Sequence, residues 1–520
     1  MKTKHSFLIL LSGVLFFLMP LNGSSQTILW ERTFPPPATP YCHRDNYGMG
    51  GESIAFDVDS NVVILGRFKI GGDSCIGQAN NSVIRLLKLN PNGDTLWTRI
   101  FMEQLIVQNI GAELSGFSIK RSSDNNFIIA GYSQIASDTA KAVLIKIDTS
   151  GNIIWKKKYF DRYLNYLEDV FETVNHELIA CGRSSEGASN NQMIYVLKTD
   201  SSGNELWHRT YGMGWFGEGY SIVYNTSIGN YTVMGCIIPS TPNWGWRYKY
   251  VAININGNDG SEISRYLYGD TTKNSKCYGG ILTNDNGYLM VGTENYIAIG
   301  AKLLVVKSDM SGNVQWSYRF GVGDSTSCYI YPTDVMQTTD SGYIVTGNKA
   351  IIHLNPPSSI DTTEFFLIKI NKNGNQDWEK VWRLDKNSYM SSIKEYYDHG
   401  FIVTGYTHNS ALTTMECYVA RFDSLSTIYN PTSFDEIDSF LRVENISLSP
   451  NPATNEIRVQ SADFKVESVE IYDVLGERCL TPALSQGEGV RVDVSALSAG
   501  IYFVKVKGEK EERVSKFVKQ

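Results

Sequence analysis

The residues best suited to hold a ligand are aromatic and lie in two neighbouring stretches. YGMGWFGEGY presents Trp215 and Phe216, and PSTPNWGWRYKY presents Trp244, Trp246 and Tyr248 with Arg247 beside them. Indole and phenol faces stack on sugar rings or peptide side chains, although the same rings could simply pack a long loop onto its neighbour. Residues for bond-breaking chemistry are harder to find. No Gly-x-Ser-x-Gly elbow occurs, so an esterase-type serine lacks its setting. His176-Glu177 begins a zinc-hydrolase pattern, but Ala180 stands where the second histidine is required. Asn254 to Glu262 loosely follows a calcium loop, yet its ligands are mostly amides and no helices flank it. Carboxylate pairs for glycoside cleavage are available among 54 acidic residues, but their separation in space is not written in the chain. No catalytic residue, metal ligand or cofactor site is therefore expected.

The elements that must position these residues come from a repeat. A short apolar run ends in glycine seven times, at Gly66, Gly131, Gly182, Gly235, Gly292, Gly347 and Gly405. After it comes a β-rich run such as AVLIKID or KLLVVKSD. A tight turn follows, holding Gly93, Gly151, Gly203, Gly312 or Gly374. Four residues after each of these stands Trp97, Trp155, Trp207, Trp316 or Trp378, and four further on Phe101, Tyr159, Tyr211, Phe320 or Trp382. Positions an even number apart share a face of a strand, so each pair lines one surface. Repeats of 51 to 65 residues built of short strands mean a propeller or solenoid, and four antiparallel strands per unit mean a propeller blade. The seventh unit lacks its Trp strand after Ser424. TILWERTF, with Trp30 and Phe34, supplies it from the N-terminus and closes the ring without an open edge. The fourth unit carries Ser264 where Trp is expected and keeps Tyr268. The fold expected is all-β: a seven-bladed β-propeller over 26–424, a linker over 425–445 and a small C-terminal β-sandwich over 446–520. Both aromatic stretches then fall on one rim, where propellers bind ligands.

Residues 1–25 read as a secretory signal peptide: Lys2 and Lys4, an apolar run, then Gly23, Ser24 and Ser25. No second long apolar run exists, so the mature chain has no expected transmembrane segment. The net charge of −7 with scattered Lys and Arg offers no basic stripe for nucleic acid. Eight cysteines in an exported protein permit disulfides. Cys42 and Cys75 share the loop rim, as do Cys277 and Cys328, and each pair is a candidate bridge.

From Ile446 the short strands EIRVQS, VESVEIYDV, VRVDVS, GIYFVKVK and VSKFVK resume. SLSPNPATNEIRV, VEIYDVLGERC, VDVSALSAGIYFVKV and KFVKQ resemble, in order and spacing, the type A C-terminal sorting domain of the type IX secretion system. Four motifs carry the resemblance: Pro450-Asn451-Pro452, the turn Asp473 to Gly476, Leu497 to Tyr502 with Gly500, and Lys516 to Lys519. It implies a Bacteroidota cell, contact with the type IX machinery, and passage through the periplasm to the outer-membrane surface or the medium. The propeller repeat is loosely similar to quinoprotein repeats, in which a glycine turn precedes a Trp docked between blades. No adjacent cysteines hold a quinone here, so the packing carries over and the cofactor does not. Function is grafted on such a scaffold rather than dictated by it. The expected role is a surface or secreted binding module for a glycan or protein ligand. The alternative is a secreted hydrolase acting on glycans or peptides at the propeller mouth.

Overall fold

The computed structural model describes 28–35, 50–70, 81–103, 112–135, 140–159, 164–186, 191–212, 214–225, 229–239, 247–295, 301–321, 328–353, 359–383, 388–409 and 414–423. In the C-terminal unit it describes 446–449, 453–461, 466, 468–472, 478–480, 490–498, 500–507 and 512–519. The chain divides into two compact units, Met1–Ile428 and Tyr429–Gln520. No helix among the described residues is long and apolar enough to cross a membrane.

The larger unit is built from seven four-stranded antiparallel units. Two of these count as one eight-stranded sheet only through a single parallel pair, Ser82 with Glu113. The first strands are Gly50–Phe56, Ala112–Arg121, Leu164–Glu172, Gly214–Asn225, Ser275–Leu282, Cys328–Gln337 and Tyr389–Glu395. Each touches the next, and the last returns to the first, which makes the ring of a β-propeller. Closure is by the strand Ile28–Phe34, which pairs antiparallel with Thr414–Phe422 as the fourth strand of blade seven. Tyr418 donates to Glu31 across this seam at 2.8 Å.

The apolar runs are continuous because both faces of each blade are covered. In blade one, Val63, Leu65, Ile84 and Leu86 pack against blade two. The alternate residues Val62, Ile64, Leu87 and Leu89 pack against Ile402 and Val419 of blade seven. Each Trp and its aromatic partner enter the same interface: Trp155 and Tyr159 lie between blades two and three, Trp207 and Tyr211 between three and four. The turn glycines explain the spacing. A Cβ on Gly203 would meet the Trp155 ring at 3.0 Å, and one on Gly260 the Trp207 ring at 2.7 Å. Trp30, Trp97, Trp155, Trp207 and Trp316 thus each cover the turn of the following blade. Tyr159 and Tyr211 add hydrogen bonds to the carbonyls of those same glycines.

The smaller unit has two sheets. One holds Ile446–Ser449, Glu456–Ser461 and Val490–Asp493, the other Arg478–Leu480, Ser468–Tyr472, Gly500–Lys507 and Glu512–Lys519. Ile457, Val459, Val469, Ile471, Val492, Val504 and Val506 form its core.

The Cys277–Cys328 bridge does not form. Cys277 is a free, buried thiol whose Sγ donates to Gly279 O at 3.4 Å. Its side chain packs with Met234, Cys236 and Tyr250 between blades four and five, whereas Cys328 packs with Leu303 and Phe320 between five and six. Sharing a rim was not enough, because the two side chains enter different interfaces. Cys42 and Cys75 lie outside the described residues, as do residues 1–25 and 425–445, expected to be a signal peptide and a linker.

Candidate functional site

The site is made by a defect repeated seven times. Every first strand carries a register shift one residue wide opposite its blade glycine: between Gly51 and Ser53, Gly116 and Ser118, Leu167 and Asp169, Gly219 and Ser221, Cys277 and Gly279, Pro332 and Asp334, and Met390 and Ser392. A bulge leaves one residue out of the ladder and re-aims it. The residues left out are Glu52, Phe117, Glu168, Tyr220, Tyr278, Thr333 and Ser391, and all seven line one central channel of about 620 Å³. The blade glycine is required because a Cβ there would strike the bulged strand: on Gly182 it would lie 2.0 Å from Tyr166 O.

Next in each strand comes a belt of small or polar residues, Ser53, Ser118, Asp169, Ser221, Gly279, Asp334 and Ser392. Several of these stitch blade to blade. Ile119 N donates to Ser53 Oγ at 3.3 Å, Ile222 N to Asp169 Oδ2 at 3.2 Å, Gly280 N to Ser221 Oγ at 3.1 Å and Ile393 N to Asp334 Oδ2 at 3.0 Å. Lys120 and Lys394 complete the wall and pair with Asp169 and Asp334, each at 3.1 Å.

Charges and aromatic rings crowd the end nearer the interblade loops. Arg67 Nε donates to Glu52 at 2.8 Å, and its guanidinium lies 5.5 Å from the Phe117 ring. Glu218, 2% exposed, accepts from Arg183 Nη1 and from Tyr220, and the Arg183 guanidinium stacks 4.6 Å from Tyr166. Lys276 lies between 5.3 and 6.0 Å from the rings of Phe216, Tyr220, Tyr248 and Tyr278. Burial pushes the Glu168 carboxyl up to about 8. Neighbouring Glu218 and Glu52 add to this, and Arg183 and Arg67 oppose it.

The predicted aromatic cluster is partly assembled. Phe216 and Tyr248 meet edge to face at 5.0 Å and are half-buried packing partners of the interface between blades four and five. Trp215 is 52% exposed on the rim. Trp244 and Trp246 lie outside the described residues. The sequence reading missed the channel ring, although its signal was present: the bulged residue stands fourteen positions before the blade glycine in six blades and fifteen in blade four.

In the small unit, Tyr502 is buried and donates to Ser498 O at 3.0 Å. Gly500 pairs with Lys519, and Lys516 with Phe503. Pro450, Asn451, Pro452, Asp473 and Gly476 lie outside the described residues. Residues 447–520 match a family model described as a secretion system C-terminal sorting domain. The C-terminal unit is a type IX sorting domain. Such a tail implies export to the cell surface or the medium.

No curated protein matches the chain. Among solved structures, the chain is similar to a protein of unknown function from Dyadobacter fermentans, at 10% identity and TM-score 0.41, covering 77% of this chain and 99% of that one. It is also similar to PorZ, described as an essential surface component of the type IX secretion system of Porphyromonas gingivalis, at 9% identity and TM-score 0.23, covering 92% and 82%. A third is the propeller domain of the Trilobed protease from Pyrococcus furiosus, described as having an open velcro topology, at 8% identity and TM-score 0.39, covering 75% and 99%.

Proposed function

We propose that this protein is a binding module of the cell surface or medium, carried out by its sorting domain after a signal peptide over 1–25 opens the periplasmic route. Its ligand is a glycan or protein segment held at the loop-side mouth of the propeller channel. The observation that carries this reading is the convergence of seven bulged side chains, aromatic and acidic on five blades, upon one channel of about 620 Å³. Clefts with apolar faces and a few converging polar groups are where ligands bind, and here rigid strands rather than loops hold those groups. Trp215, exposed on blade four, extends the same mouth outward.

The test is a glycan and peptide array probed with the full chain, a Tyr220→Ala, Tyr278→Ala variant and a Trp215→Ala variant. Binding lost in the first variant supports the channel mouth, and binding lost only in the second moves the site to the rim. A blank array, or binding that neither variant changes, sinks the reading.

A second reading draws on the convergence of Glu52, Glu168 and Asp169 in the channel. A carboxyl still protonated near neutral pH suits a general acid, as a secreted glycan hydrolase would need. Turnover of a chromogenic glycoside panel that disappears in Glu168→Gln would establish it.

A further inference from the structure

Four acids line the channel, and three of them already have a cation. Glu52 is held by Arg67, Asp169 by Lys120 and Asp334 by Lys394, at 2.8, 3.1 and 3.1 Å. Glu168 differs: among the described residues its carboxyl makes no hydrogen bond and no ion pair, yet it stands in the bulge ring and faces the channel. Its neighbours around that ring are Phe117 on blade two and Tyr220 on blade four. At this level the wall already seats its own cations against rings, these two included: Arg67 on Phe117, Arg183 on Tyr166 and Lys276 among four aromatic side chains that include Tyr220. Ammonium and guanidinium groups are drawn to ring faces and bound more tightly where water is excluded, and a carboxylate in the same place adds a charge-assisted hydrogen bond.

Building on the binding reading, we propose that the channel mouth takes a cationic group, an ammonium or guanidinium, seated on the Glu168 carboxylate between Phe117 and Tyr220. The chemistry fits a lysine or arginine side chain of a protein partner, and equally an amino sugar. With Glu52, Asp169 and Asp334 each paired to a cation, Glu168 once ionised is the lining carboxylate among the described residues that is left to pair with an arriving one. The groups facing Glu168 are Glu52 and Arg67 from blade one, Tyr166 and Arg183 from its own blade, and Glu218 and Tyr220 from blade four. With Glu168 held protonated up to about pH 8, an arriving cation displaces its proton. The carboxylic O–H breaks, the proton leaves to buffer, and the carboxylate pairs with the ligand.

The experiment is calorimetric titration of the full chain at pH 7 and pH 9, each in two buffers of different ionisation enthalpy. The probes are n-butylammonium, methylguanidinium and neutral n-butanol. A neutral-flanked lysine peptide and glucosamine form two further arms that separate the sources. The expected result is release of close to one proton at pH 7 and affinity about tenfold higher at pH 9, as proton linkage to a group titrating near 8 requires for probes that stay charged. Glu168→Gln, checked for unchanged thermal unfolding, should weaken binding at least about tenfold and abolish proton release. Equal binding of n-butanol, cation binding that survives Glu168→Gln, or n-butylammonium and methylguanidinium affinity that falls with pH overturns the cation assignment. If no cation binds but the array ligand is still lost in the Tyr220→Ala, Tyr278→Ala variant, the cation assignment falls and the binding module stands. If nothing binds in either experiment, both fall.

Discussion

Single residues in this propeller act mainly through what they exclude or cover. Gly203 sits at φ +76 with the Trp155 ring 3.0 Å from where its Cβ would be. Gly203→Ala therefore adds a left-handed conformation to an overpacked contact. A stability loss of about 1–3 kcal/mol is expected, measured as a lower urea midpoint with the slope unchanged. Trp155→Ala, which uncovers the same turn from the other side, should cost about 2–4 kcal/mol. If the two losses add in the double variant, the proposed contact is not the cause, because residues in contact couple.

Elements are tied together by a second recurrent unit that the strand pattern did not announce. In five blades a lysine near the end of the third strand lies opposite the Trp in register, as Lys88 does Trp97 and Lys307 does Trp316, and in blade seven Arg421 takes its place opposite Trp30. The lysine reaches a carboxylate in the hairpin turn between the first two strands: Lys88 to Asp57 at 2.7 Å, Lys146 to Asp124 at 2.6 Å, Lys307 to Asp285 at 2.9 Å and Lys369 to Asp340 at 2.6 Å. Blade four replaces both members at once. Asn254 stands opposite Ser264 and bonds it at 2.8 Å, and Thr232 donates to Asn254 at 2.7 Å. Tyr266 takes over the covering of the next turn glycine, Gly312. That unit is repacked rather than decayed. Burial raises the turn carboxyls, but hydrogen bonds from these lysines and from turn groups outweigh it, so Asp57, Asp124, Asp285 and Asp340 all titrate below the ordinary aspartate value. A depressed folded pKa adds stability above the unfolded value, near 4, and loses it as pH falls through the folded one. Thermal midpoints should hold down to about pH 5 and drop steeply below about pH 4. Lys307→Met leaves an exposed aspartate unpaired, and should cost about 1–2 kcal/mol and flatten that acid limb.

For the whole molecule, the decisive feature is closure. Ile28–Phe34 pairs with Thr414–Phe422, and Trp30 donates to Pro91 O at 3.0 Å while covering Gly93 of blade one. Deleting 28–34 opens an edge on blade seven and uncovers the interface with blade one. The expected outcome is a thermal midpoint lower by roughly 10 °C, with concentration-dependent aggregation by light scattering. A variant ending after Asp423 should keep the propeller's own transition, since the two compact units each have a separate core.

The chain by itself determined the blade count of glycine runs, the strand content, the closing strand at the N-terminus and the sorting tail. The first three rest on local periodicity and turn chemistry, which are carried by neighbouring residues, and the tail on four motifs that resemble a known family. The Trp-to-aromatic spacing was legible for the same reason. What the tertiary structure alone decided was where side chains from different blades meet. Cys277 and Cys328 shared a rim in the sequence reading, yet their side chains enter different interfaces. Glu168 lay unremarked in NYLEDVFE, a partly polar strand like several others, until a bulge turned it inward. The ring it belongs to gathers seven residues that are far apart in sequence, and only closure of the propeller brings them to one channel.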